Sequence, residues 1–151
     1  MSDMVSGTLR IGLDVVAVDD VANSVQRFGD RYVQRIFTSH EIACCRREGR
    51  GGAGAPQYAM DSLAARFAAK EAVIKVLRPV EVQPEWRSIE LHRMRGGWCE
   101  IHLSGLAADL AVEAGIDEFS VSVSHEATFA AAVVVGRCTH GDRTDTQRGE
   151  R

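Results

Sequence analysis

No stretch of this 151-residue sequence approaches the roughly 18 consecutive apolar residues that a membrane-spanning helix needs. The opening residues, Met1 to Thr8, are polar and too short for a signal peptide. Positive charge is not in excess: 18 Lys and Arg stand against 21 Asp and Glu, a net charge of -3, which argues against a nucleic-acid binder. Cysteines are few. Cys44 and Cys45 are adjacent, Cys99 and Cys138 stand alone, and neither a Cys-x-x-Cys pair nor a Cys/His ligand spacing is evident. That pattern speaks against a zinc site and for reduced thiols in a cytosolic protein. A P-loop pattern is also missing, so any phosphate is not held by a loop of that kind. What is present is a chain of 45% hydrophobic and 26% charged residues, near the globular average and long enough for one domain with a real core.

Strand and helix periodicities alternate along the chain. Leu9, Ile11, Leu13 and Val15 fall on one face of a strand. Asp19 or Asp20 is placed to cap a helix carrying Val21, Val25 and Phe28. Thr38-x-x-Glu41 is a capping box, which starts a second helix near Ser39. The strongest helix runs over about Ser62 to Leu77, rich in Ala, Leu, Lys, Glu and Arg and closed by Pro79. Ile89 and Leu91 alternate opposite Cys99, Ile101 and Leu103 across Gly96-Gly97, which predicts a hairpin. A short Ala-rich helix over Gly105 to Ala114 stops at Gly115. Phe119 to Ser124 and the apolar run Phe129 to Val135 then pair as antiparallel strands. The sum is an α+β fold with an antiparallel sheet packed against a long central helix. Residues 1–8 read as a flexible N-terminus, 9–137 as the domain and 138–151 as a disordered tail without aliphatic anchors. Gly49 to Gln57 reads as a flexible loop.

Four features depart from a plain core-and-surface pattern. Asp14 interrupts an apolar strand, where Asp is depleted, on the face that also holds Gly12. It is either a solvated position on a one-sided sheet or a carboxylate held rigidly beside a close-approaching ligand. On the main helix the apolar stripe Leu63, Phe67, Ile74, Leu77 is broken by Lys70 and Glu71, and Glu71 precedes Lys75 by four residues. An exposed pair of that kind is worth about 0.3–0.5 kcal/mol, but a charge on an apolar stripe needs a partner. Ser122, Ser124 and His125 place hydroxyls along a strand and an imidazole at its end, groups that suit a phosphate. Finally, between Arg27 and Arg50 six arginines face three acids, a local excess of +3; Arg27, Arg31 and Arg35 recur every four residues as one helical ridge. Such a ridge is either a solvated face or a surface for an acidic partner.

Ile11-Gly12-Leu13-Asp14, the string Arg66-Phe67-Ala68-Ala69-Lys70-Glu71-Ala72 with Lys75, and Ser122-Val123-Ser124-His125 together resemble the holo-acyl-carrier-protein synthases, the small single-domain branch of the 4′-phosphopantetheinyl transferases. The resemblance spans about Leu9 to Arg137 and is most specific from Arg66 to Lys75. It implies transfer of the phosphopantetheine arm of coenzyme A onto a serine of an apo acyl carrier protein, releasing adenosine 3′,5′-bisphosphate. It further implies Mg²⁺, an acidic carrier as partner, and a homotrimer with sites at subunit interfaces, with no role for nucleic acid or membrane. On matching positions, Asp14 and Glu71 would hold Mg²⁺, Glu71 would help remove the serine proton, and Lys75 would assist the leaving phosphate. Arg66, Lys70, Ser124 and His125 would contact coenzyme A, and Arg27, Arg31 and Arg35 would meet the carrier.

The sequence also departs from the family pattern. Asp20 stands where an Arg is frequent, Leu77-Arg78-Pro79-Val80 replaces a Gly-rich loop, Trp98 follows the hairpin glycines, and Ser120 replaces a frequent His. These changes surround the transfer residues without removing them. They point to an active transferase serving a particular carrier. Two other readings are a non-catalytic relative that binds coenzyme A or a carrier as an assembly module, and an unrelated α+β domain in which Glu71 and Lys75 form only a surface pair.

Overall fold

A computed structural model of the chain describes residues 7–47 and 57–139. The flexible N-terminus and disordered tail expected from the sequence lie mostly outside the described residues, as does the loop from Gly49 to Gln57. At the described margins, Thr8 already belongs to the first strand and Cys138 to the last.

The elements run β1 (Thr8–Ala17), α1 (Val18–Phe28), α2 (Asp30–Ile36), α3 (Ser39–Cys45), α4 (Met60–Leu77), β2 (Ile89–Arg93), β3 (Cys99–Leu103), α5 (Gly105–Glu113), β4 (Ile116–His125) and β5 (Phe129–Cys138). A short 3-10 turn, Trp86–Ser88, leads into β2. All five strands form one antiparallel sheet in the order β1-β5-β4-β3-β2, so the first strand lies on the last. The α+β class, the β2–β3 hairpin and the β4–β5 pairing agree with the sequence. Among the described residues no helix is long and apolar enough to cross a membrane.

Helix α4 is the axis of the core. Ala64, Ala65, Ala68, Ala69 and Ala72 are buried on several sides of it, together with Leu63, Val73, Val76 and Leu77. Small side chains let the sheet and the flanking helices approach closely, so α4 has no single apolar stripe. This reverses the expected pattern: Phe67, Glu71 and Ile74 are on its less buried side, and Lys70 is the charge that is fully enclosed.

Three other expectations change. Neither Asp19 nor Asp20 caps α1; both sit in its first turn and Ala17 is the N-cap, so they favour the helix through its dipole. Gly29 adopts φ 59° and divides α1 from α2, a backbone state that side-chain-bearing residues rarely take. Arg27 therefore ends one helix while Arg31 and Arg35 belong to the next, and the three do not form one continuous ridge. The faces of β1 are also inverted. Arg10, Gly12 and Val16 are buried against α4, while Leu9, Ile11, Leu13 and Val15 are 54–65% exposed.

The capping box forms as expected. Thr38 accepts from the Glu41 backbone N–H, and the Glu41 carboxylate accepts from the Thr38 N–H. The same buried carboxylate accepts from the Leu91 N–H at 3.0 Å and pairs with Lys70 Nζ at 2.8 Å. Lys70 also donates to the Trp86 carbonyl at 3.0 Å and to the Ile89 carbonyl. One ion pair thus ties α3, α4 and β2 together, with its remaining donors and acceptors satisfied, as a buried charge requires.

Candidate active site

The inverted face of β1 brings Asp14 toward α4. A Cβ on Gly12 would lie 2.0 Å from the Ala72 carbonyl oxygen, so only glycine admits this approach. Two residues on, Asp14 shares the face of Gly12 and reaches the last turns of α4. Lys75 Nζ donates to Asp14 Oδ1 at 2.9 Å and to the Leu13 carbonyl at 2.6 Å. Glu71 lies one turn earlier. Asp14, Asp20, Ser24, Tyr32, Phe67 and Glu71 line one open cleft of about 380 Å³. Lys75 therefore bridges to the strand carboxylate rather than forming the i,i+4 pair with Glu71 that spacing alone allows.

The electrostatics of this cleft centre on Glu71. Partial burial holds its carboxyl above the ordinary glutamate range; the neighbouring Asp14 charge adds to that rise and Lys75 opposes it. A divalent cation would relieve the cost that the Asp14 charge adds to ionising Glu71. Among the described residues no group of three or more His, Cys, Asp or Glu is arranged as a metal cage. Two acids at the edge of an open cleft fit Mg²⁺, which commonly takes one or two carboxylates, waters and substrate phosphates.

A second, smaller cleft of about 130 Å³ opens on another side of α4, lined by Ser62, Arg66, Arg93, Cys99, His125 and their neighbours. Arg66 is buried; its Nη1 donates to the Ser62 carbonyl at 3.2 Å, while its Nε has no hydrogen-bond partner among the described residues. His125 Nδ1 stands 3.5 Å from Asp61 Oδ2. An enclosed guanidinium with a spare donor, an imidazole and Arg93 suit an anion. Arg93 and Asp61 were not apparent from the sequence; they come from the hairpin and the first turn of α4, which only the fold brings together.

Two sequence candidates are not brought to these clefts. Lys70 is fully buried in its pair with Glu41, so it holds the scaffold rather than a ligand. Ser124 follows the strand alternation onto the outer sheet face, opposite the Val123 and His125 side that lines the small cleft. Arg27, Arg31 and Arg35 are all exposed, on the α1 and α2 pair whose other residues border the large cleft.

Residues 10–134 match the family model of the 4′-phosphopantetheinyl transferase superfamily. The holo-[acyl-carrier-protein] synthase of Moorella thermoacetica is 39% identical over 127 residues, covering 84% of this chain and 92% of that protein. That of Koribacter versatilis is 37% identical over 133 residues, covering 87% and 98%. Among solved structures, the Helicobacter pylori holo-[acyl-carrier-protein] synthase in complex with coenzyme A superposes with a TM-score of 0.67 at 29% identity, covering 83% of this chain and 98% of that one. The Chronobacterium ammoniagenes complex with coenzyme A gives 0.71 at 28% identity, covering 87% and 98%. The chain belongs to the 4′-phosphopantetheinyl transferase superfamily, in its holo-acyl-carrier-protein synthase branch.

Proposed function

We propose that the Asp14–Glu71–Lys75 cleft transfers 4′-phosphopantetheine from coenzyme A to a serine hydroxyl of an apo acyl carrier protein. The observation that carries this reading is the placement of Lys75 on the Asp14 carboxylate and the Leu13 carbonyl, beside a glutamate whose proton affinity is raised. Glu71, more basic than an ordinary glutamate, is suited to take the proton of the attacking serine. Lys75, held at the cleft edge by two acceptors, is placed to donate to the departing phosphate. Asp14 and Glu71 would hold Mg²⁺, which supplies neutralisation of pyrophosphate charge when bound. Arg66 and His125 would grip a phosphate of coenzyme A in the smaller cleft. The exposed arginines of α1 and α2 would meet the acidic carrier, and Asp20 at the cleft wall would favour a carrier with a basic residue near its serine.

The outer sheet face supports assembly into a homotrimer. Ile11, Leu13 and Val15 lie opposite Val135, Val133 and Ala131, with Leu9 and Phe129 extending the patch, and most of these side chains are wet in the isolated chain. A contiguous apolar surface of this kind marks an interaction site.

The test is mass spectrometry of apo carrier proteins incubated with the chain, coenzyme A and Mg²⁺. A phosphopantetheine-sized gain that vanishes with Glu71→Ala is expected. No gain on any carrier, alongside measurable coenzyme A binding, would favour a non-catalytic binding protein. For assembly, light scattering should report a trimer that Leu13→Glu dissociates.

A further inference from the structure

Away from both clefts, α3 and the β2–β3 hairpin bring three imidazoles into one stack. The His40 ring lies 4.2 Å from that of His92, with planes 13° apart, and His92 lies 4.0 Å from His102. Glu90 holds His92 Nε2, and Glu100 Oε2 stands 3.6 Å from His102 Nε2. At the open end of the stack, His40 Nε2 faces Cys44 Sγ at 3.7 Å. The two residues are one helical turn apart on α3 and both are exposed. The transfer reaction uses none of these groups.

We propose that His40 and Cys44 form a two-donor clamp for a borderline or thiophilic transition-metal ion such as Zn²⁺ or Co²⁺. Zinc bonds of about 2.3 Å to sulfur and about 2.0 Å to nitrogen, at a tetrahedral angle, separate the two donors by about 3.5 Å. The observed separation is within a few tenths of an ångström of that spacing. On binding, the Cys44 thiol releases its proton to solvent and the thiolate and the imidazole nitrogen each give a lone pair, with water completing the sphere. The clamp recruits no third side chain, in keeping with the lack of any three-donor cluster among the described residues. His92 acts as a positioning residue: its ring, fixed by Glu90, orients the His40 ring toward the sulfur. The sulfur and nitrogen donors separate this site from the carboxylate cleft, since Mg²⁺ prefers oxygen ligands. Cys45, next in sequence, takes no part; it is buried and burial pushes its thiol up to about 11.

The experiment titrates the reduced full-length chain with Co²⁺ in excess Mg²⁺ and follows the thiolate-to-cobalt charge-transfer absorption in the near ultraviolet. The band should appear, be displaced by Zn²⁺, and be lost in Cys44→Ser. His40→Ala should weaken binding by at least the roughly 10–100-fold that even outer-shell partners are worth, and His92→Ala should weaken it less than His40→Ala. Absence of the band at millimolar Co²⁺, its survival in Cys44→Ser, an unchanged affinity in His40→Ala, or a loss in His92→Ala as complete as in Cys44→Ser would each overturn the assignment. Both donor substitutions are at exposed positions, and circular dichroism of each variant shows whether the fold is intact.

Discussion

Replacing Gly12 with alanine tests the link between packing and chemistry most directly. The added methyl would lie 2.0 Å from the Ala72 carbonyl oxygen and 2.9 Å from its carbon, both backbone atoms in the middle of α4. Ordinary contact begins at 3.4 Å, so strand and helix must part by about 1.4 Å along that line. Overpacking of a tight core costs about 1–3 kcal/mol, and a clash with rigid backbone belongs at the upper end. The same displacement pulls Asp14 away from Lys75 and Glu71. A misplacement near 1 Å can cost on the order of 100-fold in rate, so transfer should fall by about that factor even in the fraction that folds. Urea denaturation measures the first effect and single-turnover carrier modification the second. Gly136→Ala is the control: its Cβ would meet side-chain atoms, Val76 Cγ1 at 2.7 Å and Ile116 Cγ2 at 3.2 Å, rather than the backbone of α4. It should destabilise less and leave the rate nearly unchanged. A Gly12→Ala protein with a normal denaturation midpoint and normal rate would refute the account of why Asp14 sits where it does.

Other substitutions probe separate parts of the argument. Arg78 closes α4 in the left-handed region at φ 53°, so Arg78→Gly should stabilise the fold by about 0.5–1 kcal/mol, read as a rise in denaturation midpoint. Lys70→Met leaves the Glu41 carboxylate buried without its counter-ion and should cost about 3–5 kcal/mol in chemical denaturation. For Glu71 the folded carboxyl binds its proton more tightly than the unfolded one. Stability is therefore lost as pH rises from the unfolded value through the folded one, and Glu71→Gln should melt higher than the parent at neutral pH while losing transfer. In the parent, the rate should climb with pH through a value above the ordinary glutamate range of about 4.3, and a rate flat across that range would refute Glu71 as the base.

Local signals in the sequence carried much of the fold. The capping box at Thr38, the alternation around Gly96-Gly97 and the Ala-rich helix each depend on neighbours in the chain, and each has its expected form. What sequence could not resolve were choices made by tertiary contact. Period-two alternation marks β1 as a strand with an apolar face, but not which face meets α4; the glycine and alanine contact decides that, and leaves the more apolar face outside. Counting fours through Arg27, Arg31 and Arg35 assumed a helix that Gly29 interrupts. The Lys70–Glu71 anomaly was visible, yet only the partner Glu41, far away in sequence, shows that the lysine is inside and the glutamate at the cleft. The Asp14, Glu71 and Lys75 grouping was legible because a specific string resembles a known family. Arg93 and Asp61 were not, since nothing local distinguishes them from surface charges. The His40 and Cys44 pair went unnoticed because a one-turn spacing on a short helix carries weight only once the imidazole stack is seen.

The strand order has a bearing on how the site comes into being. Among the described residues β1 bonds to β5 alone, so the first strand made has no partner until the last one exists. Closing so long a loop is entropically slow, and the pairing rewards it only at the end. Asp14 rides on that first strand, while Glu71 and Lys75 are on a helix built midway. A chain cut before Phe129 would hold all three residues and yet have no sheet position from which Asp14 can meet the other two. Transfer competence is thus acquired in one step, when β5 is made, rather than accumulated along the chain.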